Sequence, residues 1–125
     1  MRWLLTALLV VGGGCANSKP PASGESDPAA DALFHQEPRW QGGDAAFSVD
    51  LGGDRSLWMF GDSFIATTPA NTRTESRFVR NSVAVQTGRD PTQAAMQFAW
   101  GSAADGMPAS YFPENGDRWH WPLSG

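Results

Sequence analysis

The chain has 125 residues, with 13 acidic against 9 basic side chains and a formal net charge of -4 at pH 7. That balance offers no basic footprint for nucleic acid, and a single cysteine, Cys15, excludes an internal disulfide. About 90 residues lie beyond Ala32, enough for one small domain whose core must form without cross-links.

Residues 1–14 read as an export signal. Met1 and Arg2 supply positive charge, and Leu4 to Val11 supply an apolar run. A run of roughly 7–15 apolar residues is too short to cross about 30 Å of hydrocarbon as a helix but suits the core of a signal peptide. Three glycines and Cys15 follow, and the whole resembles a bacterial lipoprotein signal. The resemblance implies cleavage before Cys15, a diacylglyceryl group on its thiol and a further acyl chain on the freed amine, the paired anchor that stable attachment requires. The expected location is the cell envelope, lipid-anchored at the outer membrane or cell surface. Gly12 departs from the pattern, which usually has Leu, Val or Ile three residues before the cysteine. An ordinary secretory signal with an incidental cysteine is the alternative.

Residues 15–38 are rich in Pro, Ser and Ala and poor in large apolar side chains down to Ala32. Such a composition cannot offset the entropy of ordering the chain, so a flexible, disordered tether is expected.

From residue 39 onward the pattern is that of short strands cut by Gly, Asp and Pro. Ala45 to Leu51 places Phe47, Val49 and Leu51 on one face, Gly52-Gly53-Asp54-Arg55 turns, and Ser56 to Phe60 returns. Gly61-Asp62-Ser63 breaks the run and Thr67 to Glu75 reads as a polar loop. Asn81 to Thr87 and Ala95 to Trp100 are the third and fourth strands, and Trp119-His120-Trp121 begins a possible fifth. No segment carries a helical period. The expectation is an all-β domain over residues 39–125, an antiparallel four-stranded meander amounting to about one blade of a β-propeller plus the start of a second. Because a propeller needs roughly four to eight blades, the domain is expected to be partial.

Strand reversal places polar residues together. If the first strand runs down from Asp44 and the second rises to Asp62, then Asp44, Asp62, Arg80, Asn81 and Trp100 gather at one rim, with His120 joining from a following strand. Paired carboxylates beside aromatic platforms are what glycoside hydrolysis uses: one acid for the leaving oxygen, one base or nucleophile, and flat apolar surfaces for sugar faces. Each aspartate also suits plain turn chemistry beside glycine, and alternating tryptophans also suit core packing.

Three segments, Trp40 to Ser48, Leu57 to Ile65 and Arg80 to Val85, resemble the opening of five-bladed propeller proteins of the domain-of-unknown-function 4185 type. That resemblance implies a glycosidase-like propeller acting on a polysaccharide or other glycan, inactive as this fragment. It makes Asp44 the first candidate for a catalytic carboxylate and Asp62 the second, with Trp40, Arg80, Asn81, Trp100 and His120 binding substrate.

Two other readings stand beside it. A non-catalytic carbohydrate-binding or structural surface lipoprotein would use Trp40, Trp100, Trp119 and Trp121 as stacking surfaces. Phe60-Gly61-Asp62-Ser63-Phe64 resembles the first block of GDSL-type esterases, with Ser63 as nucleophile, although no Asp-x-x-His segment follows. No cofactor and no metal site are expected, since His35 and His120 have no ligand-like spacing to other donors.

Overall fold

The computed structural model describes residues 24–70 and 72–123; the export signal and Cys15 lie outside the described residues. In chain order these hold α1 (Pro28–Leu33), β1 (Trp40–Gly43), β2 (Phe47–Gly52), β3 (Arg55–Phe60), β4 (Ser63–Ile65), β5 (Arg77–Val79), β6 (Ser82–Thr87), β7 (Ala95–Ala99), β8 (Gly101–Ser102) and β9 (Pro108–Ala109). The fold is all-β apart from α1 and one 3-10 turn, and the strand pairs are antiparallel.

The larger sheet has the order β2-β3-β6-β7 and consists of the four strands that the alternating pattern predicts. It is not an uninterrupted meander. β4 and β5 intervene between β3 and β6 and join β1 in a second sheet, ordered β1-β4-β5. Each of these three strands has only three or four residues, too short for a period of two to show in the sequence. The β2–β3 hairpin closes where Gly52, Gly53 and Asp54 take φ of 73°, 58° and 58°, which glycine and aspartate accept more readily than other residues. Asp50 Oδ1 accepts from the Gly52 amide at 2.8 Å and fixes that turn.

The tether expected up to residue 38 ends earlier. Asp27 caps α1 by accepting from the amides of Ala29 and Ala30, both at 3.1 Å, with Pro28 in the first turn where its missing N–H costs nothing. Leu33 is buried in the core, and Phe34 meets Trp58 edge-on at 5.3 Å between ring centroids. Gln36 clamps the segment to β7, donating to the Ala94 carbonyl at 3.2 Å and accepting from the Met96 amide at 2.7 Å. A six-residue helix is too short to display a helical period, so composition alone misreads it.

One face of the larger sheet packs against α1 and the second sheet. Trp40 lies 4.7 Å from both Phe60 and Phe98, and contacts of this kind add about 0.5–1.5 kcal/mol each beyond the area they bury. Gly43 is required at this junction, because a Cβ there would come within 2.7 Å of Ser63 Oγ and 3.1 Å of Phe60 Cβ. The expected fifth strand at Trp119 does not form. That stretch is irregular, with a single bridge between Asn115 and Arg118 before it.

Candidate functional site

The rim at the ends of β1, β3 and β5 is assembled first by backbone pairing. The Asp44 amide donates to the Asp62 carbonyl at 3.1 Å, and the Gly61 amide donates to the Asp44 carbonyl at 2.9 Å. These bonds carry both aspartates to the same edge. Gly61 is needed opposite Asp44, whose Oδ1 occupies the space a Cβ at position 61 would take. Ala45, at φ 49°, turns the chain from β1 toward β2 in a conformation that side chains with a Cβ disfavour.

Asp62 is the hub of the rim. Its Oδ1 accepts from the Trp121 indole N–H at 2.9 Å and lies 3.6 Å from Arg80 Nη1. The Arg80 guanidinium is held between two rings, 4.9 Å from the Phe78 centroid and 4.4 Å from that of Trp119. Trp119 and Trp121 meet edge to face at 5.7 Å. Asp44, Ala45, Gly61, Asp62, Trp121 and Leu123 line a cleft of about 250 Å³. Trp119 and Trp121 keep 40% and 48% of their surface exposed, so the indoles remain available to a ligand.

Asn81 holds the segment that carries those indoles. It is fully buried, accepts from the Phe112 amide at 2.7 Å, and donates to the carbonyls of Phe112 at 3.3 Å and His120 at 2.8 Å. Its own carbonyl accepts from the Tyr111 amide at 3.2 Å, while the preceding Arg80 amide donates to Ser110 Oγ at 3.0 Å. Two consecutive residues therefore anchor an otherwise exposed loop.

The structure divides the residues expected at this site. Asp44, Asp62 and Arg80 come together. Asn81 is corrected from substrate contact to internal anchor, since a fully buried amide with these partners has nothing left for a ligand. Trp40 is corrected likewise: it is buried, stacks on Phe98 and donates its indole N–H to Ser82 Oγ at 3.0 Å. Trp100 sits at the end of β7 against the Arg39 guanidinium, 5.2 Å away, and packs on the core rather than lining the Asp44–Asp62 cleft. His120 lines a neighbouring cleft that shares Trp121 with this one. Trp121, the residue that bonds Asp62, was expected only as one of several stacking surfaces. Its Asp62 bond spans 59 positions, which no local pattern signals.

Ser63 does not have the setting of an esterase nucleophile. It opens β4 rather than a helix, is fully buried, and shares its hydroxyl between the Gly61 carbonyl and Ser82 Oγ, both at 2.8 Å. Among the described residues, no cluster of three or more His, Cys, Asp and Glu side chains could hold a metal ion.

Residues 27–125 match the family described as Domain of unknown function (DUF5005), and the chain belongs to that family. The resemblance to propeller proteins of the domain-of-unknown-function 4185 type is corrected accordingly. The three segments that carried it pack directly on one another: Trp40 and Ser63 both bond Ser82, and Gly43 lies against Ser63. They encode a local packing junction, and a junction of this kind does not identify a family or its function. Neither the curated proteins nor the solved structures give a match to the chain.

Proposed function

We propose that this domain is a glycan-binding module, held at the cell envelope by a lipid on Cys15. The observation that carries the reading is the bond from the Trp121 indole to Asp62, which fixes an exposed aromatic surface beside two carboxylates and a guanidinium. Sugars present this chemistry in reverse. Their C–H faces stack on indoles, their hydroxyls donate to carboxylates, and their ring and hydroxyl oxygens accept from guanidinium groups. Asp44 supplies acceptors, and Trp121 supplies the stacking face.

Hydrolysis is the second reading, favoured by the two carboxylates lining one cleft. Binding takes precedence because Asp62 Oδ1 already accepts from Trp121 and pairs with Arg80, which commits that oxygen to holding the aromatic loop in place.

The test is retention of the exported protein on insoluble polysaccharides and binding of soluble oligosaccharides by calorimetry. Trp121→Ala should abolish binding and Asp44→Asn should weaken it several-fold, with no new reducing ends released. Undiminished binding by Trp121→Ala would rule out this cleft. Release of reducing ends that disappears in Asp44→Asn would replace binding with hydrolysis.

A further inference from the structure

The outer face of the smaller sheet carries a row of rings and guanidinium groups that runs into Trp121. Ser63, Ile65 and Val79 are buried, so strand alternation turns Phe64 and Phe78 to the opposite face, where they pair across the strands with ring centroids 5.5 Å apart. The Arg73 guanidinium lies over the Phe64 ring at 4.2 Å, and that of Arg80 links Phe78 to Trp119 at 4.9 and 4.4 Å. Trp119 passes the row on to Trp121 at 5.7 Å. Phe78, Trp119 and Trp121 keep 41%, 40% and 48% of their surface exposed, so the row is open to a ligand over most of its length.

The two guanidinium groups of the row differ in charge balance. Arg80 faces Asp62, whereas Arg73 is exposed and has no ion pair among the described residues. Arg73 is held all the same. A Cβ on Gly42 would come within 3.1 Å of its Nη1, so the guanidinium lies over Phe64 in space that glycine leaves open. Arg77, next to Phe78 on β5, is also exposed and without an ion pair among the described residues. Between Ser63 and Arg80 the sequence has three arginines against one glutamate, in a chain of net charge -4. That glutamate, Glu75, already accepts from the Thr72 amide at 2.9 Å and the Thr72 hydroxyl at 2.8 Å. A guanidinium stacked on a ring keeps its N–H edge for an oxyanion, and a bond of that kind is about twice as strong as one between neutral groups.

Resting on the glycan-binding reading, we infer that the glycan is acidic, with Arg73 over Phe64 as the subsite for a carboxylate or sulfate group carried by the sugar chain. The chain stacks on Trp121 and Trp119 and crosses Phe78 to reach Arg73. Its hydroxyls occupy the Asp44–Asp62 end, where an anion would meet two carboxylates. The anionic group therefore sits away from that cleft, at the end of the row where the positive charge is uncompensated.

The test measures binding to the full chain by calorimetry with two matched pairs of probes. One pair is an oligosaccharide alternating glucuronate with N-acetylglucosamine and the same oligosaccharide with its carboxyls reduced to alcohols; the other is lightly sulfated dextran and plain dextran. In at least one pair the anionic member should bind about fivefold or more tightly than the neutral one, and the responding pair tells carboxylate from sulfate. Arg73→Gln should remove that preference, leave the neutral affinity unchanged and melt with the wild type. Arg55→Gln, which removes an exposed arginine on β3 that has no ion pair among the described residues, should keep the preference. The preference should also shrink between about 0.01 and 1 M salt, as the screening length falls from about 30 to about 3 Å. Equal binding of both members in each pair would overturn the anion subsite and leave the glycan reading intact. A preference that survives Arg73→Gln, or that Arg55→Gln loses to the same degree, would overturn it as well, the latter by marking plain charge attraction. Binding of no probe, together with none to any insoluble polysaccharide, would overturn both readings.

Discussion

The indole N–H of Trp121 donates to Asp62 Oδ1 at 2.9 Å across 59 positions of sequence, tying an exposed loop to the edge of a sheet. Because the same carboxylate faces Arg80, removing the indole donor both frees the loop and leaves Asp62 with one partner fewer. Trp121→Phe keeps most of the stacking surface but loses the bond, and should lower stability by about 1 kcal/mol, as for a partly exposed hydrogen bond. Trypsin should cleave after Arg118, in the exposed part of the loop, faster than in the wild type. An unchanged rate would show that the loop is held by other contacts.

Asn81 should matter more for stability than any residue of the cleft. Its side chain makes three hydrogen bonds from a fully buried position, so Asn81→Ala strands the Phe112 amide and two carbonyls. The expected cost is about 2–3 kcal/mol, read as a fall in the urea midpoint. Asn81→Asp keeps the acceptor but turns a carboxylate oxygen toward the Phe112 and His120 carbonyls in a buried position, and should cost at least as much as Asn81→Ala.

Ser63 and Ser82 form a buried pair with opposite expected consequences for structure and chemistry. Ser82→Ala leaves the Trp40 indole N–H without its acceptor in the core and should cost about 1–3 kcal/mol. Ser63→Ala should cost less, and hydrolysis of p-nitrophenyl acetate should be the same with and without it. A serine-dependent ester cleavage would restore the esterase reading.

The hairpin tip should respond to acid. The Gly52 amide, and after it the Arg89 guanidinium, hold the Asp50 carboxyl below its ordinary value of 3.8. A depressed carboxyl contributes stability above its unfolded pKa and loses it as pH falls through the folded value. Asp50→Asn should therefore melt slightly below the wild type at neutral pH, and the gap should close below about pH 4. Asp90, lowered by the hydroxyl and amide of Thr92, follows the same direction. A gap that persists at pH 2 would mean that Asp50 acts through packing rather than charge.

Cys15 can be tested independently of the cleft. Expressed in a bacterium with radiolabelled palmitate, the full chain should incorporate label and partition with membranes, and Cys15→Ser should do neither. Label retained by the serine variant would exclude the cysteine as the acylated residue.

Composition and alternation were enough to find β2, β3, β6 and β7, because a half-buried strand writes its period into neighbouring residues. Strand reversal then brought Asp44, Asp62 and Arg80 to one rim, and the structure places them there. The second sheet and α1 were not legible, since strands of three or four residues and a six-residue helix hold too few positions to show a period. The sequence could count tryptophans but not rank them. Nothing in the residues next to Trp40 or Trp121 says that one is buried against Phe98 and Ser82 and the other exposed beside Asp62. Those outcomes depend on contacts 42 and 59 positions apart, and such contacts exist only once the sheets have closed on each other.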